Sequence, residues 1–180
     1  MARVVILDRD GVINEDSPDF IKSPDDWVPI PGSLEAITRL NQSGYRVVVA
    51  TNQSGIGRNH FDIETLNQIH ALMLKRLADL GGNIEAIFFC PHAPRDRCTC
   101  RKPEPGMLLE IASRMRVSLS QTPMVGDSER DLIAATRAGA LPHLVLTGQG
   151  ATTQAKGSLP EGTSVHASLA EFVDGLLEES

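Results

Sequence analysis

Asp8-Arg9-Asp10-Gly11 sets two carboxylates two residues apart, followed by a glycine that lets the chain turn so that both can face one cleft. A third acidic group stands in Gly126-Asp127-Ser128-Glu129-Arg130-Asp131. A hard cation such as Mg²⁺ takes oxygen ligands and is held by one or two carboxylates with phosphate and water. Asp8 and Asp127 could share such an ion if the strands before them are neighbours. Thr51-Asn52-Gln53-Ser54-Gly55 offers short hydroxyls and backbone N–H groups of the kind that suit phosphate oxygens, and Arg101-Lys102 adds two cations. Taken singly, the acidic pair reads first as a solvated turn, and the polar stretch reads as readily as an ordinary one. Their joint occurrence at strand ends weakens those plainer readings.

A second constellation is Cys90, His92, Cys98 and Cys100, three sulphurs and an imidazole within eleven residues. Four such ligands with no open position suit a structural Zn²⁺ site. A disulfide would leave one thiol over and would strain a Cys98–Cys100 ring; three buried free thiols are the remaining alternative. Fixing Cys98 and Cys100 on a metal would also fix Arg101 and Lys102, which follow directly. Arg95 and Arg97 face only Asp96, so this stretch is locally basic.

These residues need elements to position them. Val4–Leu7, Arg46–Ala50, Ile84–Phe89, Pro123–Val125 and Leu144–Leu146 are short apolar runs that read as buried parallel strands. Helical spacing falls between them: Leu34, Ile37 and Leu40 with Ser33 as cap; Leu66 to Leu80, stopped by Gly81-Gly82; Met107–Met115; Asp131–Ala138, stopped by Gly139; and a weaker Leu169–Leu177. Gln149–Thr163 lacks periodicity and reads as a mobile loop. The alternation predicts one α/β domain over residues 1–180 with a doubly wound, mostly parallel sheet. Ligands in such sheets sit beyond the carboxyl ends of the strands, where the motifs fall.

Composition narrows the partners. Seventeen Lys and Arg against 23 Asp and Glu give a net charge of -6, which argues against nucleic acid and against polybasic membrane association. No apolar run approaches the roughly 20 residues that span a bilayer, and Val4–Leu7 is short for a signal-peptide core of about 7–15 residues. Three cysteines make a disulfide framework unexpected. A cytoplasmic, reduced protein acting on an anionic small molecule fits, and a monomer is expected.

Four motifs in this order resemble the haloacid dehalogenase superfamily: D-x-D after strand one (Asp8, Asp10), Thr51 after strand two, then Lys102, then G-D-x-x-x-D (Asp127, Asp131). The resemblance implies a Rossmann-like phosphatase. Asp8 would be the nucleophile and Asp10 the general acid and base, which requires a raised Asp10 pKa that neighbouring carboxylates could encourage. Mg²⁺ would rest on Asp8, Asp127 and the Asp10 backbone carbonyl, with Thr51 and Lys102 on the phosphoryl oxygens. Asp131 would support the loop. The spacing leaves no room for a cap domain, so Asn14–Pro31 becomes a lid candidate, with packing the plainer role for Trp27.

The superfamily's zinc-loop subgroup has two similar branches. One removes the C7 phosphate of D-glycero-D-manno-heptose 1,7-bisphosphate, for lipopolysaccharide core or S-layer glycan; the other dephosphorylates histidinol phosphate. Lys102-Pro103-Glu104-Pro105-Gly106-Met107-Leu108-Leu109 resembles the heptose branch. That resemblance puts Arg101 on the second phosphate, Asp16, Ser17, Pro18 and Asp19 on the sugar, and Asn52, Gln53 and Ser54 beside the substrate. Ser128 departs from it, standing where a Lys is common. A polynucleotide-end phosphatase lacks its basic track here, and a non-catalytic zinc-stabilised module would not need the full catalytic set.

Overall fold

A computed structural model describes residues 3–178. Its strands are β1 (Arg3–Leu7), β2 (Tyr45–Asn52), β3 (Ala86–Cys90), β4 (Pro123–Gly126), β5 (Leu141–Val145) and β6 (Ser164–His166). All pair in parallel, in the order β3-β2-β1-β4-β5-β6. The helices are α1 (Ser33–Gln42), α2 (Ser54–Gly57), α3 (Ile63–Asp79), α4 (Gly106–Met115), α5 (Glu129–Ala138), α6 (Gly150–Ala155) and α7 (Leu169–Glu178).

Continuous apolar runs become central strands because both faces of the sheet are covered. Val5 and Leu7 of β1 join Val47 and Val49 of β2 under α1, α3 and α7, with Ile37, Ile69 and Phe172 packed against them. Val4 and Ile6 point the other way, with Val48 and Ala50, to meet Met107, Ile111 and Ala135 of α4 and α5. The sheet is wound outward in both directions from β1 and β4, which pair through Leu7 and Val125. The crevice between such strands is where a doubly wound sheet binds ligands, and it brings the ends carrying Asp8 and Asp127 together.

Local differences from the sequence reading have physical causes. Gly32, at φ 85°, is the α1 cap, and Ser33 instead donates from Oγ to the Val12 carbonyl at 2.8 Å. Helix α5 starts at Glu129, because Asp131 Oδ2 accepts both the Ser128 N–H and its hydroxyl. Gln149–Thr163 is not simply a loop: it contains α6, tied down by the Thr153 hydroxyl donating to the Asp127 carbonyl at 2.9 Å. Trp27 is buried in the core with Arg76 of α3 over its ring, which is a packing role. Between β1 and β2 the described chain holds only a loop with one 3-10 turn at Pro24–Asp26 and helix α1, so no cap is inserted there. Among the described residues no helix is long and apolar enough to cross a membrane.

At the far edge, His143 of β5 and His166 of β6 stack with ring nitrogens 3.0 Å apart, and Phe172 meets both rings edge-on. Burial, and then the neighbouring His166, pull His143 down to about 4. His166 is lowered by burial, with Glu171 pulling it the other way. An unfolded histidine binds its proton near pH 6.5, so protons favour the unfolded chain as the pH falls from 6.5 towards 4. His143→Gln should therefore lose less thermal stability than the wild type between about pH 7 and pH 5. Equal losses in a melting series across that range would count against the pair.

Candidate active site

The site begins with the turn after β1. Gly11 takes φ 82°, and the Arg9 carbonyl accepts the Val12, Ile13 and Asn14 N–H groups, so the chain folds back under Asp8 and Asp10. Lys102 enters from the segment before α4, buried with 1% of its surface exposed. Its ammonium donates to the Ala50 carbonyl at 2.7 Å and pairs with Asp8 Oδ1 at 3.0 Å and Asp131 Oδ1 at 2.6 Å. Those three partners use all of its donors. Asn52 holds the same lysine by its backbone, accepting its N–H at 3.1 Å and donating to its carbonyl at 2.9 Å.

Burial, then the charges of Asp131 and Asp10, push Asp8 up to about 7, although Lys102 pulls the other way. Asp127 rises to about 8 for the same reasons, burial first and then Asp131 and Asp8. Two carboxyls held so far above their usual range lack positive charge. Asp8, Asp127 and Asp131 offer oxygens within 4.8 Å of one another, a hard-donor set suited to Mg²⁺. Gly11 and Gly148, both at positive φ, clear the space around Asp127, since a Cβ on either would collide with its Oδ2. The Gln149 N–H donates to that oxygen at 2.8 Å.

Asp10 differs from the expectation of a raised pKa. Burial does push it up, but the Arg9 guanidinium and hydrogen bonds from Asn14, Arg9 and Gln53 outweigh burial and hold it below the usual carboxylate value. The adjacent arginine, not the neighbouring acids, decides the sign.

These groups share one cavity of about 220 Å³. Asp8, Asp10, Lys102, Asp127 and Asp131 line its inner part. Asp16, Ser17 and Pro18 line it from the lid segment, and Asn52, Gln53, Ser54 and Arg101 from beyond β2 and the cysteine loop. Two expected residues lie off this wall. Asp19 only donates its N–H to Ser17 Oγ, and Thr51 is buried, its hydroxyl accepting the Gln53 amide at 2.9 Å. Four lining residues escaped the sequence reading: Phe20, Ile21, Arg130 and Gln149. Arg130 lay in plain view within the G-D-x-x-x-D motif. Gln149 donates from its side chain to Asp16 Oδ2 at 2.9 Å, joining the lid to the turn before α6, a contact without sequence signal. Arg101 is held below the usual guanidinium value by burial and then by the charges of Arg130 and Arg58, and it shares the cavity's wall with Arg130.

The second constellation assembles at the end of β3. Cys90 lies 3.6 Å from Cys98 and 3.3 Å from Cys100 by sulphur, and His92 Nδ1 is 3.4 Å from both Cys90 and Cys100. The cysteines are unbridged, and all four donor atoms fall within 4.8 Å of one another. Burial raises the Cys90 thiol, whereas Cys98 is drawn down to about 7, against the upward push of burial, by the Arg101 N–H and the nearby sulphurs. The group is a candidate metal site with soft donors and no open position.

A family model described as HAD-hydrolase-like matches residues 99–172. The chain is 56% identical, over 99% of both chains, to the D-glycero-beta-D-manno-heptose-1,7-bisphosphate 7-phosphatase of Bordetella bronchiseptica. It is 50% identical to the protein of that name from Pseudomonas aeruginosa, over 97% of this chain and 98% of that one. The crystal structure of D,D-heptose 1,7-bisphosphate phosphatase from B. bronchiseptica, complexed with magnesium and phosphate, superposes with a TM-score of 0.98 at 56% identity, covering 99% of each chain.

Gly11→Ala tests the crowding around Asp127. Strain at its positive φ and the collision with the carboxylate should cost about 1–3 kcal/mol in urea unfolding. Displacing that carboxylate should also lower any metal-dependent turnover about 10²-fold. A variant with wild-type stability and turnover would show that this packing is not needed.

Proposed function

The chain belongs to the D-glycero-beta-D-manno-heptose-1,7-bisphosphate 7-phosphatase family of HAD-like hydrolases, and from that premise we propose that it hydrolyses the C7 phosphate of this sugar. The products are heptose 1-phosphate and inorganic phosphate, in heptose synthesis for lipopolysaccharide core or S-layer glycan. The carrying observation is the single cavity with the Asp8–Lys102–Asp131 network at its floor and Arg101 on its wall. The names of the relatives favour this substrate over histidinol phosphate and specify the beta anomer.

Asp8 attacks phosphorus, a bond forms from its carboxylate oxygen, and the bond to the sugar C7 oxygen breaks. Asp10 gives its proton to that leaving oxygen. Water then attacks the phosphoaspartate while Asp10 takes a proton back, releasing phosphate and restoring Asp8. In the free protein Asp10 is ionised; the phosphoryl group arriving beside it raises its proton affinity, so the acid form arises in the complex. Lys102 holds Asp8 in line for attack and offsets charge on the phosphoryl oxygens. Thr51 acts from behind by fixing the Gln53 amide. Asp8, Asp127 and the Asp10 backbone carbonyl would hold Mg²⁺, which supplies charge neutralisation and orients the phosphoryl group.

Arg101 takes the second phosphate by its forked donors. Ser128 cannot replace the missing lysine, because its hydroxyl donates to Asp131; Arg130 on the same wall supplies that cation. Asp16, Ser17 and Pro18 meet the sugar from the lid. Cys90, His92, Cys98 and Cys100 hold a structural Zn²⁺. The reading includes one phosphatase domain over residues 1–180, a monomer in the cytoplasm, where the thiols stay reduced.

Asp8→Asn should lower phosphate release from heptose bisphosphate at least about 10³-fold; wild-type release would remove the nucleophile assignment. The wild type should prefer heptose bisphosphate to histidinol phosphate by at least about tenfold in kcat/KM, and the opposite preference would overturn the substrate. Purified protein should carry one zinc per chain by metal analysis, and Cys98→Ser should lose it and melt at lower temperature. A folded wild type without zinc would remove that site.

A further inference from the structure

Two buried groups touch neither the substrate nor the metal in the chemistry above. Arg9, between the two catalytic aspartates, is fully buried, and His70 of α3 is nearly so. Arg9 donates to Asp10 Oδ1 twice, from Nε at 3.0 Å and Nη2 at 2.8 Å. Its Nη1 lies 3.1 Å from His70 Nε2. A guanidinium has donors only, so His70 Nε2 must be the acceptor and the imidazole proton sits on Nδ1. Burial, and then the Arg9 charge, hold His70 down to about 3, which keeps that acceptor lone pair free.

We infer that His70 is a positioning residue for the acid–base work of Asp10, acting through Arg9. The guanidinium is planar, so fixing one end of its fork fixes the other. His70 fixes the outer end from α3, a 17-residue helix capped by Asp62. The inner end then pins Asp10 Oδ1, to which Asn14 Nδ2 also donates at 2.9 Å. Oδ2, with only the Gln53 amide at 3.1 Å, is left to the leaving oxygen and the water. Without the imidazole, a buried Nη1–H would have no acceptor, and the fork would turn to find one. The carboxylate would turn with it.

The inference rests on the phosphatase reading, and the test separates the two. A sugar alkoxide needs the proton from Asp10 to leave, whereas the phenolate of p-nitrophenyl phosphate leaves almost unaided. His70→Leu removes the acceptor; His70→Gln keeps a carbonyl oxygen in reach of Arg9. With Mg²⁺ supplied, H70L should lower kcat/KM on heptose bisphosphate by about 10–100-fold, with kcat/KM on p-nitrophenyl phosphate within about threefold of wild type, because kcat/KM ends at departure of the leaving group and leaves out the hydrolysis of the phosphoaspartate that both substrates share. H70Q should recover to within about threefold on both substrates. Arg9→Lys, which keeps the charge but loses the fork, should repeat the selective loss, so the test does not hang on the folding of one variant. Equal losses of kcat/KM on the two substrates, or no loss, would overturn the inference, as would H70Q failing like H70L while still folded. If the wild type cleaves the aryl ester but not heptose bisphosphate, the substrate reading falls. The same comparison then runs on histidinol phosphate, another alkyl ester.

Discussion

Lys102 carries its ammonium to a place where three backbone segments meet, and the arrangement of the site depends on what it finds there. The Ala50 carbonyl, Asp8 and Asp131 come from β2, from the end of β1 and from α5. A buried lysine charge is costly unless paired, and here the attraction of Asp131 and Asp8 more than offsets burial, so its pKa is raised. Removing the cation would leave Asp131 buried with only Ser128 for company. The same ion pair therefore stabilises the join of sheet and helices and fixes the Asp8 carboxylate in the cavity. Neither task can be altered without the other.

Charge in the cavity is divided rather than balanced. Asp8 and Asp127 sit high in pKa at the floor, and Arg101 and Arg130 crowd one another on the wall. Such a division suits a ligand with two anionic ends and one cation at the floor. A chain of net charge -6 thus still places Arg101, Lys102 and Arg130 together on one cavity, where an anion can be met.

What could be read in the sequence was whatever one segment determines by itself. The central strands are continuous apolar runs, the motifs follow them, and Cys90, His92, Cys98 and Cys100 lie within one short stretch, so periodicity and spacing were enough to place them together. β6 has only three residues, Ser164-Val165-His166, and exists because β5 offers it an edge. Helix α6 has no apolar stripe and is held by Asp127 through Thr153. The Asp10 pKa does not follow from the carboxylates near it along the chain, because Arg9 turns inward on the same residue. Gln149 and His70 reach the site from 22 residues beyond Asp127 and 61 beyond Arg9, and only the fold brings them there.

The cysteine cluster and Lys102 form one mechanical unit. Cys90 ends the edge strand β3, where the Gln53 N–H donates to its carbonyl at 2.8 Å. Cys98 and Cys100 draw the loop back to that strand, and Gly106 at the start of α4 packs so closely on Thr99 that a side chain there would strike its carbonyl. The chain between Cys100 and α4 is thus anchored at both ends. Asn52 clasps it midway at Lys102, and Arg101 reaches the His92 carbonyl at 3.4 Å. A loop of such polar composition has little apolar surface to bury, so its order must come from cross-links of this kind. The soft-donor cluster thereby helps to determine where Arg101 and Lys102 stand.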